Sequence, residues 1–151
     1  MIGNLTEAQS RDFLSNQITG RIGCNDGIKT YVVPINYVFD GKVIISHAVE
    51  GMKIDIMRLN PNVCFEVDEV KTLNNWKSVI AWGRYQELTD ERDRYYAMKL
   101  FVDRMMHIKI SKTAEHLHSE GLEAGLSSSQ FKRSVIYRIV MNEMTGKYEK
   151  E

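Results

Sequence analysis

The feature that most constrains the fold is a pair of apolar runs separated by Asp40-Gly41. The first run, residues 30–39 (TYVVPINYVF), is rich in β-branched and aromatic residues, and residues 42–48 form the second. An Asp-Gly pair between two such runs is the strongest short-range signal for a β-hairpin. The sequence therefore predicts a hairpin over residues 30–48.

Alternation and helical spacing predict the other elements around this hairpin. Val63, Phe65 and Val67 alternate with polar residues, as in a half-buried strand. Thr6 and Gln9 have the form of a capping box, which predicts a helix of about three turns. Further strands are predicted at 20–24, 76–88 and 134–141 and further helices at 51–59 and 90–106, whereas 107–132 shows no clear pattern and a charged tail is predicted from Thr145.

The order of these elements indicates one α+β domain, residues 1–151, built on a mainly antiparallel β-sheet. A chain of this length matches one domain and can bury about 68–70% of its extended surface. Hairpin-sized links between the strands favour antiparallel pairing. Five or six such strands suggest a small closed or half-closed barrel, because closure removes unpaired edges.

Composition excludes several classes of protein. Lys+Arg and Asp+Glu number 20 each, so the charge is balanced, whereas nucleic-acid-binding proteins usually carry a basic excess. No apolar stretch reaches the about 18 residues of a membrane span. We therefore expect a cytoplasmic protein without nucleic-acid or membrane partners, and a small barrel binding nucleic acid through Trp76 and Trp82 is the least favoured alternative. Cys24 and Cys64 are expected to be free thiols.

Pro34 lies inside the strongest strand pattern, where its missing N–H removes one hydrogen bond from a strand ladder. One interpretation is an edge strand. The other is an interrupted ladder, which leaves the amides of Ile35 and Asn36 free to bind a ligand. A planar heterocycle with carbonyl and ring-nitrogen acceptors suits such a row of donors. The sequence alone favours neither interpretation.

Residues 46–53 (SHAVEGMK) run from a predicted strand into the first turn of a predicted helix. Unpaired N–H groups and the helix dipole favour anions at that position. Gly51 permits a close approach of the backbone, Lys53 supplies a positive charge and Ser46 supplies a hydroxyl donor. The segment predicts an anion site, the alternative being a solvent-exposed lysine. His47 is the candidate catalytic residue, the alternative being a structural histidine.

Trp76, Lys77, Ser78, Trp82 and Arg84 lie on one predicted strand. Aromatic and basic side chains together can stack on and clamp a heteroaromatic phosphate ester. The alternative is that the tryptophans belong to the core and the basic side chains lie along them. The sequence contains no HExxH and no paired CxxC, so no metal site is expected. It also lacks GxSxG, Walker and GxGxxG motifs.

The segments VPINYVFDG, HAVEGMK and NPNVCFEVDEV, in this order and spacing, resemble the FMN-binding split-barrel family related to pyridoxamine 5′-phosphate oxidase. The segments GRIG, WKSVIAWGRYQEL and IVMNEMTGK add to the similarity, which is closest to the nitroimidazole-resistance (Nim) branch. It covers residues 20–88 and returns at the final strand. The resemblance implies a six-stranded split barrel with flanking helices that forms a homodimer, with flavin at the subunit interface.

The resemblance also assigns flavin contacts to three groups of residues. His47 matches a histidine that lies near the flavin in Nim-like proteins. The isoalloxazine edge would meet Pro34, Ile35, Asn36 and Tyr37; the ribityl phosphate would be held by Ser46, His47, Gly51, Met52 and Lys53; and Trp76, Lys77, Ser78 and Trp82 would complete the site from the partner chain.

The function that the resemblance implies is that of an FMN-dependent oxidoreductase or reductase acting on a small aromatic or nitro-aromatic molecule, with FAD as the alternative cofactor. A flavin carries out the electron transfer itself, which agrees with the absence of a catalytic-triad motif. The alternatives are a non-catalytic flavin-binding protein and a haem-binding relative with His47 or His107 as axial ligand. Pyridoxamine 5′-phosphate oxidase activity is a weaker expectation, since the chain lacks the longer arginine-bearing tail.

Overall fold

The structure is a computed structural model that describes residues 1–113 and 133–151, with side chains up to Ile108 and from Arg133 onward. Most of the patternless stretch 107–132 therefore lies outside the described residues. The elements, in chain order, are β1 (Ile2–Asn4), α1 (Glu7–Asn16), β2 (Thr19–Asn25), β3 (Thr30–Asn36), β4 (Val38–Phe39), β5 (Val43–Ala48), α2 (Met52–Leu59), β6 (Asn62–Thr72), β7 (Asn75–Glu87), α3 (Glu91–Thr113) and β8 (Val135–Glu149).

The strands form one antiparallel sheet in the order β3-β2-β6-β7-β8-β5-β4, and β1 pairs with β8. The predicted α+β fold with a mainly antiparallel sheet is confirmed. Among the described residues the strand count is eight rather than six, because the predicted run 30–39 is divided at Tyr37 and β1 is added. The predicted hairpin over residues 30–48 is wrong for its first part, since β3 pairs with β2 and it is β4 that pairs with β5 across Asp40-Gly41. In the described part of the chain the sheet is not closed by main-chain hydrogen bonds, and its two ends, β3 and β4, are joined through Tyr37.

The prediction of a charged tail from Thr145 is wrong, because β8 continues to Glu149 and pairs with β7 along most of its length. An extra residue, Asn142, forms a β-bulge between the pairs Trp82–Glu143 and Gly83–Met141. Beyond the bulge Met144 still packs against the core and Gly146 is buried, so alternate residues continue to face inward. The apolar alternation is weak in the sequence because Gly146 has no side chain and its neighbours Thr145 and Lys147 are polar.

The core lies on the concave face of this sheet, as the alternation predicted. Val63, Phe65 and Val67 of β6 are buried, as are Val79, Ala81 and Tyr85 of β7. Gly20 of β2 allows a close approach to β6, since a Cβ at this position would lie 2.4 Å from the Phe65 ring and 2.7 Å from the carbonyl oxygen of Glu66. A side chain at residue 20 would force β2 and β6 apart.

The three helices cover the openings of the curved sheet. The Thr6 capping box of α1 is confirmed, and α1 buries Phe13 and Leu14. The α2 helix buries Ile54 and Met57, and α3 packs near β4, β5 and β8. None of the helices, as far as the chain is described, is long and apolar enough to cross a membrane.

Candidate functional site

A cavity of about 530 Å³ lies where β3, β5 and the first turn of α2 meet α3. Its volume falls within the range of small-molecule sites, about 300–1,000 Å³. The two segments that the sequence singled out, the proline-containing strand and the strand-to-helix turn, thus line the same cavity. The lining consists of Pro34, Ile35 and Asn36 from β3, His47 from β5, Lys53 from α2, and Met98, Phe101, Val102 and Met105 from α3.

Pro34 lies on an edge strand with an uninterrupted register, opposite Arg21 of β2. The amide of Tyr37 donates to the Ile18 carbonyl oxygen at 3.0 Å. Because alternate residues of an antiparallel strand bond to the same neighbour, the Ile35 amide points toward β2 and the Asn36 amide points to the open edge. The edge-strand interpretation is therefore correct, and Asn36 rather than Ile35 presents its amide at that edge.

Ser46 of β5 is hydrogen-bonded to the end of the edge strand β3. Its buried hydroxyl donates to the Asn36 carbonyl oxygen at 2.7 Å. The Asn36 side chain is fixed as well, since Thr19 Oγ1 donates to Asn36 Oδ1 at 2.9 Å. Ser46 therefore supports the cavity wall from behind, and its hydroxyl proton is already used in that hydrogen bond. Asn36 presents its side-chain nitrogen as a donor.

His47 and Lys53 are the titratable groups of the cavity lining. Burial lowers the pKa of His47 below its ordinary value of 6.5, and the nearby Lys53 charge lowers it further. The His47 ring packs edge-to-face on Phe101, with ring centroids 4.6 Å apart. Burial also lowers the pKa of Lys53. No carboxylate of the described residues lies within ion-pair distance of Lys53, so the cavity contains a half-buried cation suited to an anionic ligand.

Three further residues predicted to contact the cofactor do not line the cavity. Tyr37 is buried, and its hydroxyl donates to the Leu14 carbonyl oxygen at 2.6 Å. Both hydrogen-bond donors of Tyr37, its amide and its hydroxyl, are thus bonded within the chain. Gly51 and Met52 are exposed at the start of α2, next to the cavity but outside its lining.

Alternation along β7 separates the four residues that were expected from a partner chain. Trp76, Ser78 and Trp82 lie on the convex side of the sheet, whereas Lys77 lies on the opposite side.

We call this convex side the outer sheet face, defined by Val32, Cys64, Trp76, Ser78 and Trp82 with their neighbours. Trp76 Nε1 donates to Glu149 at 3.0 Å. A shallow groove of about 660 Å³, lined by Val32, Cys64 and Trp82 among others, lies on this face. None of the four β7 residues lines the cavity of its own chain.

The α3 wall of the cavity, Met98, Phe101, Val102 and Met105, was predicted as a helical face but not as part of a site. These residues follow the i, i+3, i+4, i+7 spacing of any helix that packs on a core. The sequence therefore carries no signal that separates a cavity wall from a core contact at these positions.

Comparisons with known proteins place the chain in a family. Residues 6–148 match the sequence profile of the pyridoxamine 5′-phosphate oxidase family. The chain belongs to this family. It is also 41% identical over 68 residues to the uncharacterized protein RA0666 of Rhizobium meliloti strain 1021, and this match covers 45% of each protein.

Two solved structures show the same fold over nearly the whole chain. A FAD-binding protein from Mesorhizobium loti has a TM-score of 0.73 at 27% identity, covering 99% of both chains. A candidate 5-nitroimidazole antibiotic resistance protein from Bacteroides thetaiotaomicron has a TM-score of 0.71 at 18% identity, covering 98% of this chain and 87% of the other. The split-barrel class is confirmed, and the neighbours do not single out the Nim branch.

Proposed function

We propose that the protein is a cytoplasmic, homodimeric flavoprotein of the Nim-like type, an FMN-dependent oxidoreductase acting on a small aromatic or nitro-aromatic molecule, with FAD as the alternative cofactor. The observation that carries the proposal is that the Pro34–Asn36 edge and Lys53 line one cavity. Membership of the pyridoxamine 5′-phosphate oxidase family and the similarity to a FAD-binding protein support it.

The residues of the cavity fit a phosphorylated flavin. Asn36 presents its amide and its side-chain nitrogen as donors, which suit the carbonyl and ring-nitrogen acceptors of an isoalloxazine. The α3 wall is apolar, which suits a flat ring system, and Lys53 would hold the phosphate. A bound flavin supplies hydride or electron transfer, chemistry that protein side chains do not supply. The neutral imidazole of His47 would accept a proton from the substrate or donate a hydrogen bond to it.

The proposed dimer uses the outer sheet face. Val32 is 63% exposed and Trp82 is 38% exposed there, an apolar surface that a second copy of the chain would cover. Pro34 and Asn36 alternate with buried residues on β3 and lie on the same face, so a covering partner would also approach the cavity. The partner would contribute Trp76, Ser78 and Trp82 from this face, but not Lys77.

The decisive experiment is the absorbance spectrum of the purified protein, followed by reconstitution with FMN, FAD and riboflavin. We expect a flavin spectrum, one flavin per chain, and a dimer by light scattering coupled to gel filtration. Protein that binds neither FMN nor FAD at micromolar concentration would refute the proposal. A Soret band after reconstitution with haem, without flavin binding, would favour the haem-binding alternative.

Catalysis requires a second test, since a non-catalytic flavin-binding protein would share the cavity. We expect anaerobic reduction of the bound flavin by NADH or NADPH, followed by reoxidation by a nitro-aromatic compound. Tight flavin binding without turnover of nitro compounds, or of other small aromatic acceptors, would support the non-catalytic alternative.

A further inference from the structure

Arg58 joins two carboxylates from different parts of the chain. Its Nη1 and Nη2 donate to the two carboxylate oxygens of Glu50 at 2.7 and 2.8 Å. Its Nε donates to Glu87 at 2.9 Å, and the Tyr85 hydroxyl donates to the same Glu87 oxygen at 2.7 Å. The guanidinium of Arg58 thus links the end of α2 both to the turn before α2 and to the end of β7.

The turn that Arg58 holds is the one that leads to Lys53. Glu50 directly precedes Gly51, which begins α2 without a side-chain cap. Val49 is 79% exposed, so packing fixes this turn only weakly. The bidentate hydrogen bond from Arg58 to Glu50 therefore restrains the turn before α2, whereas buried Ile54 and Met57 anchor the helix that carries Lys53.

Charge gives this contact a second consequence. Amides at the start of a helix and a lysine ammonium both attract an anion, and a free carboxylate one residue before the helix would oppose that attraction. Arg58 remains charged at every physiological pH, and the hydrogen bonds that it donates to the Glu50 and Glu87 carboxylates raise its pKa further. The Glu50 charge is therefore compensated in the folded protein.

We propose that Arg58 is a positioning residue for anion binding at Lys53, and that it acts by neutralising the charge of Glu50. The inference rests on the proposed function, because the anion is taken to be the phosphate of a flavin mononucleotide. Arg58 itself does not line the cavity, so its effect on the ligand passes through the Glu50–Lys53 turn.

The test compares FMN with riboflavin, which lacks the phosphate, in R58Q. We expect FMN affinity at low ionic strength to fall about fivefold, the effect of one partly exposed charge interaction. Riboflavin affinity should change less than twofold. A merely structural role of Arg58 would weaken both flavins equally, and that result would overturn the proposal.

Two further variants separate the charge of Glu50 from a general loss of structure. In E50Q/R58Q the carboxylate that Arg58 neutralises is gone, so FMN affinity should return to within about twofold of the wild-type value. E50Q alone should bind FMN at least as tightly as the wild type. Failure of the double variant to recover, or weaker FMN binding by E50Q, would contradict the proposed role of Glu50.

The matched control is R11Q, which breaks another exposed Arg–Glu pair. Arg11 donates to Glu7 at 3.3 Å and to the Gly41 carbonyl oxygen at 2.8 Å, and it lies outside the cavity lining. R11Q should leave the FMN-to-riboflavin affinity ratio unchanged. A change in that ratio as large as in R58Q would show that the assay reports overall charge, which would also overturn the proposal.

A readout without flavin separates this inference from the proposed function. Inorganic pyrophosphate should protect Lys53 from acetylation in the wild type and protect it less in R58Q, as measured by mass spectrometry. If the wild type binds no flavin, the proposed function fails, and the acetylation result still decides the role of Arg58. Equal protection in both proteins would overturn that role.

Discussion

The cavity and the outer sheet face differ in how complete they are within one chain. In the cavity, side chains from β5 and α2 converge and lose water, which lowers the pKa values of His47 and Lys53. On the outer sheet face, the apolar side chains of Val32 and Trp82 remain exposed to water. In the proposed function, folding of one chain therefore builds the anion end of the cavity, whereas a second copy of the chain would cover the outer sheet face.

The largest expected effect comes from a charge on the outer sheet face. W82E would place an unpaired carboxylate in the proposed interface, which costs about 3–5 kcal/mol when buried. We expect the dimer dissociation constant to rise at least about 100-fold by sedimentation equilibrium, with a parallel loss of bound flavin. The control Y96E changes a side chain on α3 that is 64% exposed and should remain dimeric. A dimeric W82E would show that this face is not the interface.

The second-largest effect is expected in the cavity. K53M removes the positive charge of the cavity, and a hydrogen bond to a charged group contributes about 1.5–3 kcal/mol. We therefore expect FMN affinity to fall about 10- to 100-fold by fluorescence titration, with a much smaller change for riboflavin. K99M, an exposed lysine of α3 outside the cavity lining, is the control. Equal losses for both flavins in K53M would rule out a phosphate contact.

A smaller effect is expected at Tyr37, which the resemblance assigned to the flavin and the structure places in the core. Y37F leaves the Leu14 carbonyl oxygen without its donor, which should lower the free energy of unfolding by about 1–2 kcal/mol in urea titrations. Flavin stoichiometry should stay the same. Y96F, an exposed tyrosine, provides the control. A Y37F variant that is as stable as the wild type but no longer binds flavin would show that Tyr37 contacts the flavin.

The smallest effect is a pH dependence of stability through His47. Its pKa is below 6.5 in the folded protein and returns to 6.5 on unfolding, so the unfolded chain binds more protons between the two values. Stability should therefore be complete above pH 6.5 and should fall as the pH is lowered through that window. Urea midpoints at about pH 7.5 and 5.5 should differ less in H47Q than in the wild type. If the urea midpoints differ by the same amount in H47Q and in the wild type, the pH dependence of stability comes from groups other than His47.

The fold could be predicted from the sequence wherever one face of an element is buried. The alternation at Val63–Val67 and the Thr6 capping box each depend on contacts within a few residues or on a simple inside–outside pattern. The end of β8 could not be predicted, since Gly146, one of its inward positions after the Asn142 bulge, has no side chain and lies between polar residues. The short strand β1 is held by pairing with that same segment and could not be predicted either.

The site could be predicted in part, for a related reason. Pro34 breaks the rule for a central strand and Lys53 follows a strand-to-helix glycine, and both are local signals that the structure brings to one cavity. The hydrogen bond that uses the Ser46 hydroxyl depends on how β5 faces β3, which no local pattern records. Arg58 bonds to Glu50, eight residues before it, and to Glu87 on β7, and neither contact can be predicted from the spacing of residues in the sequence.

The gap between β3 and β4 has a consequence for how the proposed ligand would bind. The two ends of the sheet are joined covalently through Tyr37, but they are not paired with each other by main-chain hydrogen bonds. A bound heterocycle could occupy the position of the missing rungs without displacing any main-chain hydrogen bond. The proposed ligand would then bind at this edge while the main-chain ladders of the sheet stay intact, and the Ser46 hydrogen bond to the Asn36 carbonyl oxygen would hold the edge in place.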